Sequence, residues 1–106
     1  MTEHAYVRAV HQIYLQMPNT SGRFSRSDRQ LAQALHQRGI PIDVIRSALL
    51  LATARRICRN PASAPLPPVR SLHYFLPVLD EILLRPLPNG YLRYLEFKIA
   101  QRNRWD

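Results

Sequence analysis

A chain of 106 residues, 46% of them apolar, is long enough to bury one hydrophobic core and too short for two, which excludes wholesale disorder and a multidomain arrangement. A formal charge of +8 excludes an acidic surface, and the single cysteine, Cys58, excludes an internal disulfide or a Cys-rich metal site, so a reducing, cytoplasmic setting is expected. No basic-then-apolar leader pattern opens the sequence, and no run approaches the ~20 apolar residues that span a bilayer, so no membrane role is expected.

Thr2 is placed to cap a first helix running to about residue 16, in which Tyr6, Val7, Val10, Ile13, Tyr14 and Met17 recur at three- and four-residue spacing as one apolar stripe. Pro18 closes it, and residues 19–23 read as a loop. Ser25, followed three residues later by Asp28, predicts a capping box for a second helix with Leu31, Ala32, Ala34 and Leu35 on its buried side. Gly39 stands where a left-handed C-terminal cap is wanted, Ile40 where the chain folds back onto the helix, and Pro41 where the next helix opens.

The third helix, predicted over residues 42–59, is apolar around most of its circumference, as expected for the buried centre of a bundle. Residues 60–68 carry closely spaced prolines that remove donors and fix backbone angles, so a Pro-rich strap is expected over 60–69. Ser71 then caps a fourth helix over 72–84, with Leu72, Phe75, Leu76, Leu79, Ile82 and Leu83 inward and Pro77 either kinking it or marking its true start. After a turn at 85–90, Asn89 caps a last helix from Tyr91 to about Arg104, whose Leu92, Leu95 and Ile99 face the core; residues 103–106 are a fraying tail. No alternating strand pattern and no internal repeat is present. The expected fold is all-α: one domain, residues 1–106, forming a compact bundle of about five helices with the Pro-rich connection between the third and fourth.

Fourteen of the fifteen cations are Arg, whose planar fork suits phosphate and stacks on bases. Arg55, Arg56 and Arg59 end the third helix and Arg70 follows the strap, which makes these four the leading candidates for phosphate contact. Cations at a helix C-terminus are also favoured by the helix dipole, a purely structural reason for three of them. Arg23, Arg26 and Arg29 flank a helix N-terminus, where backbone N–H groups welcome anions. Arg93, Lys98, Arg102 and Arg104 join Trp105 in a C-terminal set that mixes cations with an aromatic, suited to unpaired bases or to a partner.

His4, His11, His36 and His73 lack Glu or Cys at ligand spacing, and Asp80-Glu81, the one adjacent acidic pair, reads as a solvated patch. Nothing resembles a Gly-rich phosphate loop or a nucleophile elbow, so neither a catalytic site, a metal nor a cofactor is expected. The corner around Leu35, Gly39 and Ile45 resembles a helix-turn-helix, but a recognition helix needs a polar face over its first turns. Here only Asp43, Arg46, Ser47 and Thr53 are polar, and Asp43 repels phosphate.

Val44-Ile45-x-x-Ala48-Leu49-x-x-Ala52, followed by Tyr74-Phe75-x-x-Val78-Leu79, resembles the C-terminal helical module of the DnaD family of replication-initiation proteins over residues 39–84. Ile82 stands where that family commonly carries Trp, and the connection at 60–69 is longer and richer in proline. The resemblance implies binding of single-stranded or duplex DNA, remodelling of origin DNA and contact with a replicative helicase. The expected function is that of a DNA-binding accessory protein, without base specificity, in replication initiation or mobile-element maintenance. Its rivals are a protein-interaction adaptor, docked through the Pro-rich strap and the Asp80-Glu81 helix, and a dimeric helix-turn-helix regulator.

Overall fold

The structure is a computed structural model that describes residues 1–57 and 66–105, with side chains as far as Gln101. Helix α1, Glu3–Gln16, starts where Thr2 Oγ1 accepts the Ala5 N–H at 3.1 Å. Its stripe of Tyr6, Val10, Ile13 and Tyr14 is buried, with Met17 closing the far end. Two tyrosine hydroxyls in that stripe donate to backbone carbonyls far away in sequence, Tyr6 to Ile40 at 2.7 Å and Tyr14 to Val69 at 3.3 Å. Burial raises the pKa of both phenols, which keeps them as donors.

Helix α2, Arg26–Gln37, opens on a complete capping box: Asp28 N–H donates to Ser25 Oγ, and Asp28 Oδ2 accepts from Ser25 N–H at 2.9 Å. Its buried positions are Asp28, Ala32 and Leu35. Ala34, expected inward, is exposed, because a stripe of i, i+4, i+7 leaves a residue two places from Ala32 on the opposite side. The helix ends in a Schellman arrangement, Ile40 N–H bonding to Leu35 O and Gly39 N–H to His36 O, with Gly39 at φ +75°. Leu35 and Ile40 close it as a buried pair.

Helix α3, Ile42–Ile57, is the axis of the bundle: α1, α4 and α5 all pack against it, and every residue from Ala48 to Ala54 is buried. The predicted last turn with Cys58 and Arg59, and most of the Pro-rich strap, lie outside the described residues. Where the strap is described again, Val69 pairs with the α1–α2 loop: Ser21 N–H donates to Val69 O and Val69 N–H to Asn19 O, each at 2.7 Å. This isolated bridge is the only β pairing among the described residues.

The fourth predicted helix is two pieces. A 3-10 turn, Leu72–Phe75, is capped by Ser71, and α4, Leu76–Leu84, begins with Pro77 in its first turn. Proline lacks only an N–H that the first turn leaves unpaired in any case, so Pro77 marks the start and not a kink. Leu79 and Ile82 are buried with Leu72 and Phe75, whereas Leu83, expected inward, is 42% exposed because α4 offers α3 only a narrow stripe. Gly90, at φ +81°, leads into α5, Tyr91–Trp105, and Asn89, expected as its cap, sits one residue further out. Leu95 and Ile99 seat α5 on α3.

Candidate nucleic-acid interface

The N-terminal corner of α2 gathers cations without exposed acids. Arg26 and Arg29 project from its first turns and Arg23 from the loop before it, all three exposed. The chain on either side of Arg70 is tied to the same corner: Val69 to Asn19 and Ser21, and Ser71 and Leu72 to Asp28. The structure therefore brings Arg70, also exposed, to the α2 corner.

Asp28 is the carboxylate of this corner, and it has no exposed surface. Its Oδ1 accepts from Ser71 Oγ at 3.0 Å and Leu72 N–H at 2.9 Å, while Oδ2 accepts from Ser25 N–H at 2.9 Å and Ser25 Oγ at 3.0 Å. Burial pushes its pKa up, but these four hydrogen bonds to the ionised form outweigh that and hold it below the usual carboxylate value. Its charge is thus spent inside the fold, and it also occupies the α2 N-terminus that an external phosphate would otherwise meet.

Because α1 and α2 run antiparallel, with Gln37 reaching Glu3 at one end and Phe24 stacking on His11 at 4.4 Å at the other, Arg29 faces α1 across a shallow groove. That groove, about 300 Å³, is lined by His4, Val7, Arg8, His11, Arg29 and Gln33, with Glu3 at its far end. Sequence reasoning placed Arg29 in a basic set but missed Arg8, His4 and His11, since nothing local signals which face of α1 meets which face of α2.

Two of the four leading sequence candidates, Arg55 and Arg56, have other work. Arg55 Nη1 and Nη2 donate to the two Glu81 carboxylate oxygens, at 2.8 and 2.5 Å, a fork-to-fork pair across α3 and α4. The bond raises the Arg55 pKa and, with the guanidinium charge, lowers that of Glu81. Arg56 donates to Pro67 O at 2.6 Å and to Tyr74 Oη at 3.1 Å, and its guanidinium lies 5.2 Å from the Tyr74 ring centroid, so it pins the end of the strap to the 3-10 turn. Arg59 lies outside the described residues, as do the side chains of Arg102, Arg104 and Trp105. Arg93 is exposed on α5.

The middle of α3 is walled in by α1, α4 and α5, and Arg46 near its start is bound to Glu96 of α5 at 2.7 Å. The polar side chains that its first turns expose are Asp43, which repels phosphate, and Arg46, which is held by Glu96. Ile45, Ala48, Leu49 and Ala52, with Phe75 and Leu79, all lie in the core, so the two-helix spacing is realised as packing; Tyr74 is exposed. Among the described residues no cluster of three metal-ligating side chains occurs, and no helix is long and apolar enough to cross a membrane. Comparison with family models, with curated proteins and with solved structures finds no match for this chain.

Proposed function

We propose that this protein binds DNA through arginine side chains, without base specificity, as an accessory factor in replication initiation or mobile-element maintenance. The observation that carries the proposal is the charge arrangement around α2: Arg23, Arg26, Arg29 and Arg70 are exposed at its N-terminal corner and Arg8 across the α1–α2 groove, while the adjacent carboxylate, Asp28, is buried and fully hydrogen-bonded and Glu3 stands at the groove's far end. An exposed array of guanidinium groups whose nearest carboxylate is buried is what releases counterions from a phosphate backbone. Arg8 and Arg29, facing each other across the α1–α2 groove, suit a single backbone strand lying along it.

The replication setting rests on the DnaD-like spacing of α3 and the segment beginning at Tyr74, and the helicase contact that spacing implies is part of the proposal. Co-sedimentation with a purified replicative helicase checks that part.

Gel-shift titrations with single-stranded, duplex and forked DNA at two salt concentrations test the binding. The expected result is tight binding at low salt that weakens steeply as salt rises. Changing Arg8, Arg26 and Arg29 together to Ala is expected to weaken duplex binding and to lower the log–log salt slope by about three units, roughly one for each lost phosphate contact. Absence of binding at low salt rejects the proposal, and binding to one palindromic site alone replaces it with a sequence-reading regulator.

A further inference from the structure

Helix α5 is seated on α3 by Leu92, Leu95 and Ile99, and the opposite face of such a helix is ordinarily polar. Here its centre is Phe97, 62% exposed, and Tyr94 beside it is 50% exposed. Arg93 flanks the rings on one side, and on the other the Lys98 Nζ sits 5.7 Å from the Tyr94 ring centroid. Glu96, the only acid of α5, is drawn off toward α3 by its 2.7 Å bond to Arg46. Tyr91 packs beside Tyr94 with ring centroids 5.7 Å apart, so the face combines an open Phe97 ring and a half-exposed Tyr94 with two cations and, among the described residues, no unpaired carboxylate.

We infer that the outer face of α5 is a stacking platform for the unpaired bases of single-stranded nucleic acid, with Tyr94 and Phe97 taking bases and Arg93 and Lys98 the neighbouring phosphates. The inference rests on the DNA-binding reading and extends it to a second, strand-selective surface. Bases in a duplex are stacked on one another and hidden from a side-chain ring, so aromatic surfaces add affinity only for unpaired strands, whereas the cations attract either form. A second copy of this chain is a poorer occupant, since pairing two such faces sets Arg93 and Lys98 against their own like charges. Two rings three residues apart rise about 4.5 Å along the helix, enough for each to take its own base.

The test is fluorescence anisotropy with labelled oligo-dT, oligo-rU and a hairpin duplex, comparing the full chain with its Tyr94→Ala/Phe97→Ala variant. Both side chains are largely solvated and Ala is a good helix former, so the variant keeps its fold, as circular dichroism will report. Single-strand affinity is expected to fall at least about tenfold while duplex affinity stays within about twofold. The oligo-rU arm tells whether the preferred strand is RNA or DNA. Photo-cross-linking with 5-iodouracil oligonucleotides is expected to label Tyr94 or Phe97. Equal single-strand binding by both proteins overturns the inference, as does loss of self-association in the variant with strand binding unchanged. A wild-type protein that binds no nucleic acid removes the DNA-binding reading itself, whereas one that binds but ignores the double substitution removes only the α5 platform.

Discussion

A carboxylate with no exposed surface is ordinarily a destabilising feature, and Asp28 avoids that by joining three segments at once: the Ser25 cap, its own helix and the Ser71–Leu72 turn. Because its pKa is lowered in the fold, its contribution is complete above the unfolded carboxylate value near 4 and is lost as pH falls from there through the folded value. Asp28→Asn keeps the size but turns an amide donor toward groups that are themselves donors, so an unfolding cost of about 2–4 kcal/mol is expected at neutral pH. Urea titrations across pH check this: the gap between wild type and variant should be widest at neutral pH and narrow as pH falls from about 4, where the unfolded chain takes up the proton, through the lower folded value, below which the folded side chain is itself protonated. A gap independent of pH would mean that charge at Asp28 is irrelevant and only shape matters.

At the α2–α3 corner the backbone reverses on one residue in the left-handed region, and a Cβ at Gly39 would meet nothing within 4 Å, so any cost of a side chain there is conformational. Gly39→Ala is expected to lower stability by about 1 kcal/mol, with Gly39→Asn milder because Asn visits that region more readily; thermal melts give the ranking. This corner could be read in advance because it is local: a glycine, an apolar residue and a proline in succession specify the cap without reference to anything distant. The Thr2 and Ser25/Asp28 caps were readable for the same reason. Periodicity alone does not say how wide a helix's buried stripe is, which is why Ala34 and Leu83 turned outward and why Pro77 left two options open until α4 was seen to begin beside it. The pairing of Arg55 with Glu81, twenty-six residues apart, and of Arg8 with Arg29 across antiparallel helices, is tertiary information that no spacing rule contains.

Among the described residues three acids are engaged within the fold, while Glu3, Asp43 and Asp80 are exposed. Glu81 and Glu96 are bonded to Arg55 and Arg46 around α3, and Asp28 is inside, so those cations stabilise the bundle while the guanidiniums of the α2 corner meet solvent unopposed. Sequence position did not separate these two groups, since Arg56 and Arg26 look alike in a list of basic residues. Physically they differ, and a pair of variants separates them. Arg56→Ala removes two hydrogen bonds and a ring contact that hold Pro67 and Tyr74, so it should cost about 1 kcal/mol and lower Tm by roughly 5 °C. Its guanidinium is already committed to the fold, so DNA affinity at low salt should change less than about twofold and the salt slope should not move. The Arg8/Arg26/Arg29→Ala variant should behave in reverse, with Tm unchanged or slightly raised by relief of like-charge repulsion and DNA affinity sharply reduced. Should Arg56→Ala instead flatten the salt dependence with no loss of Tm, the phosphate-binding surface lies at the C-terminal end of α3, and the α1–α2 groove is a by-product of packing α1 and α2 side by side.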